Sequence, residues 1–316
     1  MTIEQFRTTD EAEWHALRAR DVTASQIAAL WEGGHEYTDK WELWHAKRGT
    51  MPRRGISPEL AMRGHLFEPV AVEMIRRTRP DWKISYEPGV YSYFRDPDAR
   101  IGGTPDVIVD HPTRGRGVIQ IKTVGRPVYR TKWIDPETDA ARPPLWVQMQ
   151  AETERYLTGG LWAGVAALVS DEYFGVEFAL FDVEETPGLI ETMKRRTAEF
   201  WADVAAGNEP DPEFWRGGGR IEAIYPTADP DNELDLTTNE RAQALLQTRA
   251  IYVRDRREAD AEIEAIDAEI KHIMGTATVA HLGEGRRIIW RNERRQGRTS
   301  PPTNSRVLRL PPEKET

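Results

Sequence analysis

The sequence predicts an α/β protein in which a mixed β-sheet is flanked by helices and followed by a C-terminal helical extension and a small β-hairpin. Two features of the chain indicate this class. Up to about residue 208, segments with the apolar pattern of strands alternate with segments of helical periodicity. Farther along, Gly, Pro and Asp accumulate, and a long segment with the apolar spacing of a helix follows them.

Residues 1–208 are predicted to form the main domain, because their strands and helices can share one core. The five predicted strands lie near 86–94, 99–110, 117–123, 162–170 and 174–183. The five predicted helices lie near 10–31, 38–48, 58–78, 144–158 and 187–206. Gly159 directly follows the fourth helical segment, and glycine is the residue that most often ends a helix.

The rest of the chain is predicted to form a connection and an extension. Residues 209–236, rich in Gly, Pro and Asp, are expected to be a linker or a loop draped over the main domain. Residues 237–316 are expected to form a helix, a hairpin and a basic tail. The apolar residues of 238–274 approach a 3-4 repeat, which fits a short coiled-coil seam and packing against the main domain equally well.

Residues 101–123 carry the most chemically specific pattern. They contain two strand-like runs joined by a turn, with Asp106 at the start of the first and Gln120 and Lys122 on the second. Because side chains alternate along a strand, Gln120 and Lys122 project from the same face. An acid beside these two residues can hold a divalent cation next to a positive charge that steadies an attacking water. An ordinary antiparallel hairpin with exposed polar residues has the same pattern, and these residues alone leave it open.

Glu68 lies in a predicted helix that begins at Ser57 and Pro58, which suit the N-cap and first helical positions. Pro69 is expected to kink or restart this helix. A glutamate close to Gly64, where a neighbouring backbone can approach, could supply a third oxygen ligand from a helix packed on the sheet. A solvated glutamate on the helix surface is the simpler alternative.

Pro105-Asp106 and Gln120-Ile121-Lys122 resemble the two halves of the PD-(D/E)xK nuclease motif. Gln120 departs from it, because that superfamily usually has Glu or Asp at this position. Further short motifs accompany these two along the chain. They are Trp14-His15-Ala16-Leu17-Arg18 with Thr23-Ala24-Ser25, Gly64 to Glu68, and Gln148-Met149-Gln150. In this order, the motifs resemble the YqaJ-like viral recombinase family, which includes the phage lambda exonuclease type, over residues 10–210 or so.

The resemblance implies a PD-(D/E)xK nuclease core with a metal site. The implied ligands are Glu68, Asp106, Gln120 and the main-chain carbonyl of Ile121. The implied ion is Mg²⁺, with Mn²⁺ as a possible substitute, because Mg²⁺ is commonly held by one or two carboxylates together with waters and phosphate oxygens. Lys122 is implied as the catalytic lysine.

The resemblance also implies residues that contact DNA. Those that match a pocket for a terminal 5′-phosphate are Arg18, Ser25 and Thr104. Those that match the active-site glutamine motif are Gln148 and Gln150. An Arg18 that caps a helix or pairs with an acid such as Glu13 is the alternative.

The function that the resemblance implies is that of a metal-dependent exonuclease acting on linear double-stranded DNA in phage-type homologous recombination. The implied partners are DNA ends and a single-strand annealing protein, and the implied assembly is a homo-oligomeric ring, often a trimer. The resemblance also implies a phage or prophage origin and action in the cytoplasm of a bacterial host. Because Gln120 removes one negative charge from the site, two alternatives stay open. They are a restriction or defence endonuclease with the same site, and a DNA-end-binding protein that has lost turnover.

The composition excludes some classes and restricts others. The 316 residues include no cysteine, which excludes disulfides, cysteine zinc sites and the Fe–S members of the nuclease superfamily. No apolar run reaches membrane-spanning length, and the first residues lack the pattern of a signal peptide. The formal net charge of −9 argues against indiscriminate coating of DNA, so contacts are expected at basic clusters. These are a rim of Arg114, Arg116, Arg126, Arg130 and Lys132, and the arginines of residues 280–310, for which a solvated tail is the alternative.

Overall fold

The computed structural model describes residues 2–51, 58–170, 175–216, 221–225, 227–283 and 286–292. The chain divides into two units, Met1–Ile224 and Tyr225–Thr316. The domain boundaries predicted from the sequence, at residues 208 and 236, stay predictions.

The first unit contains nine strands and seven α-helices within its described residues. The strands are β1 Glu4–Thr8, β2 Val22–Thr23, β3 Lys83–Ser85, β4 Tyr91–Asp96, β5 Ile101–Gly103, β6 Val107–His111, β7 Gly115–Gly125, β8 Trp162–Ser170 and β9 Val176–Val183. The helices are α1 Glu11–Ala19, α2 Lys40–Arg48, α3 Pro58–Thr78, α4 Arg126–Lys132, α5 Leu145–Thr158, α6 Leu189–Ala206 and α7 Ile221–Ile224. Two short 3-10 helices span Ile27–Leu30 and Phe214–Arg216.

A five-stranded mixed sheet of order β3-β6-β7-β8-β9 forms the centre of this unit. β7 and β8 run parallel, whereas the other neighbours are antiparallel. Parallel strands need a long crossover connection, which α4 and α5 supply. β8 is apolar and almost entirely buried, as expected for a strand covered on both faces. The predicted mixed α/β fold is therefore confirmed.

The two faces of the five-stranded sheet pack against different helices. α3 covers the face that carries Ile119 and Ile121 of β7. α5 covers the opposite face, which carries Val118. Gln120 and Lys122 alternate with the isoleucines and share the parity of Val118, so both face α5. This is the common face that the strand pattern predicted.

The helix predicted over 10–31 is wrong beyond Ala19. The chain leaves the helix and forms β2, which pairs in parallel with β5 in a second sheet of order β1-β4-β5-β2. Asp21 marks the change of direction, because it is fully buried and accepts two hydrogen bonds of 2.9 Å from the guanidinium of Arg95 on β4. This ion pair ties the segment after α1 to the second sheet.

Two predicted strands differ in extent from the observed ones. Within 86–94 the chain turns at Gly89, whose φ of +76° suits glycine, and β4 begins only after this turn. The predicted strand 99–110 consists of two strands, β5 and β6. The segment Thr104–Asp106 separates them, and its Pro105 has no N–H to donate to a ladder. α4 has no counterpart among the predicted helices.

The second unit contains one long helix and a hairpin among its described residues. α8 spans Glu240–Met274 and begins at the N-cap Asn239, whose side chain accepts from the backbone N–H of Ala242 at 2.9 Å. β10 Val279–Gly283 and β11 Arg286–Ile289 form the predicted antiparallel hairpin. Residues 284–285 of its predicted turn, and the arginines beyond residue 292, lie outside the described residues. No helix in the described ranges combines the length and the apolar character needed to cross a membrane.

Candidate active site

A cavity of about 520 Å³ in the first unit collects most of the residues that the sequence singled out. Its walls come from α1, α3, α5, the segment after β2 and the segment between β5 and β6. The predicted site residues that line it are Arg18, Ser25, Glu68, Thr104, Asp106 and Gln150. Gln120 and Lys122 connect to this group through hydrogen bonds to Asp106 and Gln150. Eight of the predicted site residues therefore meet at one place.

Asp106 directly precedes β6 and is held by donors from the neighbouring strand β7. Its Oδ2 accepts from the main-chain N–H of Ile121 at 2.7 Å and from the side-chain amide of Gln120. Burial raises the pKa of Asp106 to about 7; the positive charge of Lys122 opposes this rise, and the charge of Glu68 adds to it. A buried carboxyl in this environment binds a proton readily, and a nearby cation stabilises its ionised form.

Glu68 approaches the same cavity from α3. It is hydrogen-bonded to Tyr86, and burial raises its pKa whereas this hydrogen bond lowers it. α3 continues through Pro69, which lies inside the helix. The close backbone approach expected at Gly64 is not found, since no described atom lies within 4 Å of the place of its missing Cβ. Glu68 is therefore a half-buried residue of the cavity wall, and not a fully solvated helix glutamate.

Lys122 is positioned by α5. Its Nζ donates to the side-chain oxygen of Gln150 at 2.9 Å and lies 5.2 Å from the centre of the Trp146 ring. Burial lowers the pKa of Lys122, while the negative charges of Asp106 and Glu154 raise it. The charges of the two buried carboxyl groups of the site thus act on this lysine.

Glu154 is a member of the site that the motifs did not indicate. It is 1 % exposed, lines the cavity, and its Oε1 accepts from the amide nitrogen of Gln150 at 3.0 Å. Burial raises its pKa well above the usual range, and the charge of Asp106 adds to the rise. Its spacing of four residues from Gln150 places both on one helical face, which is the sequence signal that could have found it.

Arg18 and Ser25 lie together at another wall of the cavity. The guanidinium of Arg18 donates to the hydroxyl of Ser25 at 3.3 Å and lies 4.5 Å from the centre of the Trp14 ring. The indole N–H of Trp14 donates to Thr104 at 2.9 Å. Trp14 therefore links the two sides of the predicted phosphate pocket. Glu13, the predicted alternative partner of Arg18, accepts a hydrogen bond from Thr8.

Gln148 lies apart from this group. Its side chain donates to the main-chain oxygen of Pro143 at 2.6 Å, and it is not one of the described residues that line the cavity. Residues two apart on an α-helix point in nearly opposite directions, so Gln148 and Gln150 cannot both face the cavity. The DNA-contacting role of Gln148 stays a prediction.

The predicted basic rim divides into paired and cavity-facing residues. Arg114 pairs with Asp182 at 2.7 Å, and Arg126 pairs with Glu177 at 2.5 Å. Arg116, in contrast, lines the cavity. The positive charge of the two paired arginines is largely compensated, and Arg116 is the residue of the predicted rim that lines the described cavity.

The donor set fits a hard divalent cation bound by few protein ligands. Within the described ranges, no group of three or more His, Asp or Glu side chains is gathered closely enough to hold a metal. The cavity does offer the carboxylates of Glu68 and Asp106. The main-chain oxygen of Ile121 and Oδ2 of Asp106 accept from the same amide nitrogen of Gln120. Mg²⁺ accepts one or two carboxylates and completes its shell with waters and phosphate oxygens. The residues present therefore fit Mg²⁺ better than an ion whose ligands are all supplied by the protein.

The fold and this cavity define an α/β protein with a buried acid–lysine site on a mixed sheet. Residues 13–159 match the family of the YqaJ-like viral recombinase domain. The match falls within the part of the chain in which the motifs resemble that family. It includes every residue of the predicted site. A comparison with curated protein sequences gave no significant match.

Several solved structures are similar to this chain. The alkaline exonuclease LHK-Exo from Laribacter hongkongensis has 19 % identity and a TM-score of 0.43, and the match covers 62 % of this chain and 93 % of that one. A structure of LHK-Exo with dAMP has 21 % identity, a TM-score of 0.44 and the same coverage. A SOX–DNA complex has 10 % identity and a TM-score of 0.36, with 64 % of this chain and 70 % of that chain covered.

Proposed function

We propose that this protein is a metal-dependent deoxyribonuclease that degrades linear double-stranded DNA from its ends in phage-type homologous recombination. One observation carries the proposal. The buried carboxyl of Asp106 and the ammonium of Lys122 belong to one hydrogen-bonded group at a cavity that Glu68 and Arg18 also line. Such a group combines ligands for a cation, a positive charge for the reaction and a donor for a DNA phosphate.

Glu68, Asp106 and the main-chain carbonyl of Ile121 would hold the metal ion. A bound Mg²⁺ supplies an activated water and counters the negative charge of the phosphate under attack. The amide oxygen of Gln120 was predicted as a further ligand, and this role stays a prediction. The two carboxylates alone meet the number of protein ligands that Mg²⁺ commonly takes.

Lys122 is proposed as the catalytic lysine. Phosphodiester cleavage places additional negative charge on the phosphoryl oxygens in the transition state. An ammonium held by Gln150 and by the face of Trp146 can offer its remaining protons to that charge without reorganising. Because its site is buried, the electrostatic effect is larger than it would be in water.

Arg18, Ser25 and Thr104 are proposed to receive the terminal 5′-phosphate of the strand to be degraded. A guanidinium can form two parallel hydrogen bonds to phosphate oxygens, and each hydroxyl can donate one more. The three residues are tied together by Trp14, so the pocket is preorganised. Arg116 can contact the next stretch of backbone from the same cavity.

The resemblance to the YqaJ-like family extends the proposal to partners. The single strand that remains after digestion would pass to an annealing protein, in the cytoplasm of a bacterial host. A ring-shaped homotrimer around the duplex is the assembly proposed by the same resemblance. Mass measurement of the purified protein in solution tests the trimer independently of activity.

The test of the function compares two DNA substrates. Purified protein with Mg²⁺ or Mn²⁺ should release nucleotides from linear duplex DNA and leave a covalently closed circular duplex intact. Cutting of the circle would show that the protein is an endonuclease, of the restriction or defence type with the same site, and not an exonuclease. The comparison therefore separates two enzyme classes in one experiment.

A DNA-end-binding protein without turnover is the second candidate. Gln120 favours it, because an amide at this position removes a negative charge and its nitrogen faces Asp106. In that case linear duplex DNA would bind through its ends, and neither Mg²⁺ nor Mn²⁺ would release nucleotides. The same linear substrate, assayed for binding and for release, decides between the two.

A further inference from the structure

Lys122 sets the direction of a chain of side-chain hydrogen bonds. An ammonium group has only donors, so the atom of Gln150 that lies 2.9 Å from it must be the amide oxygen. The amide nitrogen of Gln150 is then turned the other way. This assignment follows from the chemistry of lysine and does not depend on distinguishing oxygen from nitrogen in the amide.

The direction passes from Gln150 to Gln120. The amide nitrogen of Gln150 donates to the side-chain oxygen of Gln120 at 2.8 Å and to Oε1 of Glu154 at 3.0 Å. With its oxygen engaged, Gln120 presents its nitrogen to the other side. That nitrogen donates to Oδ2 of Asp106 and to the main-chain oxygen of Ile121, the latter at 3.3 Å. Both N–H groups of each glutamine are thereby used.

We propose that Gln120 is a positioning residue that acts as a hydrogen-bond donor to Asp106 and to the Ile121 carbonyl, and that it is not a metal ligand. Its direction is fixed by Lys122 through Gln150. A carboxylate at this position could only accept, so the amide makes contacts to Asp106 and the Ile121 carbonyl that the motif acid cannot make. The inference refines the proposed function, on which its metal-binding part rests.

Glu154 is the second acceptor of the Gln150 amide, on a side branch of this hydrogen-bond network. It lies on α5 one helical turn after Gln150 and is almost fully buried. Its Oε1 accepts the second N–H of Gln150, and this hydrogen bond stabilises the orientation of the Gln150 amide. Glu152, on the same helix and equally buried, instead pairs with Arg155 at 2.9 Å. Glu152 is therefore the matched residue outside the chain of hydrogen bonds.

The first experiment measures thermal unfolding with a metal chelator present. Gln120→Glu places a second acceptor against Asp106 and the Ile121 carbonyl, so Tm should fall by about 5 °C or more. Gln26→Glu is the control, because the side-chain oxygen of Gln26 already accepts a hydrogen bond from Thr23 at 3.0 Å. An unchanged Tm for Gln120→Glu would overturn the donor role.

The second experiment reverses the chain of hydrogen bonds at constant net charge. The double variant Gln150→Glu with Glu154→Gln puts an acceptor at position 150 and a donor at position 154. Gln120 must then turn its nitrogen toward position 150 and its oxygen toward Asp106. Calorimetric titration should show that the double variant binds Mn²⁺ about 10-fold more tightly than the wild type. This is the lower end of the range for changes to residues that contact metal ligands.

Gln120→Ala, added to the wild type and to the double variant, shows whether the gain passes through Gln120. If it does, the alanine removes the gain. A gain that persists, or equal affinity of wild type and double variant, would overturn the proposal. If neither protein binds Mn²⁺, the metal site of the proposed function fails, and the chelator experiment still decides the role of Gln120. Glu152→Gln serves as the control for loss of a buried glutamate.

Discussion

The guanidinium of Arg18, near the C-terminal end of α1, donates to the hydroxyl of Ser25 at 3.3 Å, and the short strand β2 lies between these two residues in the sequence. The same guanidinium lies over the Trp14 ring, whose indole N–H binds Thr104. These contacts bring together residues from three separate segments at the cavity. A preformed cluster of one cation and two hydroxyls is suited to a phosphate group.

Arg18→Ala should slow digestion of 5′-phosphorylated DNA ends far more than digestion of 5′-hydroxyl ends. A hydrogen bond to a charged group contributes about 1.5–3 kcal/mol, or about 10- to 150-fold in rate. The measurement is the initial rate of nucleotide release from the two kinds of end. Arg20→Ala is the control, since this exposed arginine follows the same helix. Equal slowing on both kinds of end, in a protein that still folds, would show that Arg18 does not bind the terminal 5′-phosphate.

Gln120→Glu should raise activity or lower the Mg²⁺ concentration at half-maximal rate, because it adds a carboxylate next to Asp106 and Glu68. The readout is nucleotide release over a Mg²⁺ titration. Gln26→Glu makes the same charge change at a residue whose side-chain oxygen already accepts from Thr23, and it should leave the titration unchanged. A loss of activity at every Mg²⁺ concentration would mean that the reaction depends on the amide itself.

Metal binding should strengthen as the pH rises toward neutrality. Burial raises the pKa of Asp106 to about 7, so below that pH the group is mostly protonated and a cation must displace the proton. The apparent Mn²⁺ affinity is therefore expected to fall about 10-fold for each pH unit below 7 and to level off above it. Calorimetry between about pH 5.5 and 8.5 measures this. An affinity independent of pH over the whole range would show that Asp106 is ionised throughout.

The parts of the site that depend on local periodicity could be predicted from the sequence. Alternation along β7 placed Gln120 and Lys122 on one face, and the order of short motifs brought Glu68 and Asp106 into the same group. Glu154 obeys the same logic, being one helical turn from Gln150. It escaped prediction because a helix glutamate is usually solvated, and its burial depends on packing that the sequence does not state.

Contacts between distant segments could not be predicted. The break after α1 depends on Asp21, whose partner Arg95 lies 74 residues away in the sequence. The apolar residues that follow α1 were compatible with a longer helix, and only the pairing of β2 with β5 decides against it. Likewise, the motif predicted that Gln148 and Gln150 both belong to the active site. They are two residues apart on the same helix, so their side chains point in nearly opposite directions.

Asp21→Asn should destabilise the fold strongly. It removes the charge from a fully buried carboxylate that binds Arg95 and also accepts from Tyr93 at 2.9 Å. Removal of one partner of a buried ion pair costs about 3–5 kcal/mol. The free energy of unfolding in urea measures this. Asp182→Asn breaks an exposed pair with Arg114 and should cost less than about 1 kcal/mol. Equal effects would mean that the Asp21 contact does not anchor the second sheet.

The most direct test of the proposed function is nucleotide release from linear duplex DNA by wild type and by Asp106→Asn, each with Mg²⁺ and with a chelator. Asparagine keeps the size of Asp106 but removes its negative charge, so the metal ion loses a ligand charge while the fold is retained. We predict release by the wild type with Mg²⁺ alone, and a loss of at least about 100-fold in the variant. Equal release by Asp106→Asn, or undiminished release by the wild type in the chelator, would contradict a metal-dependent nuclease at this cavity.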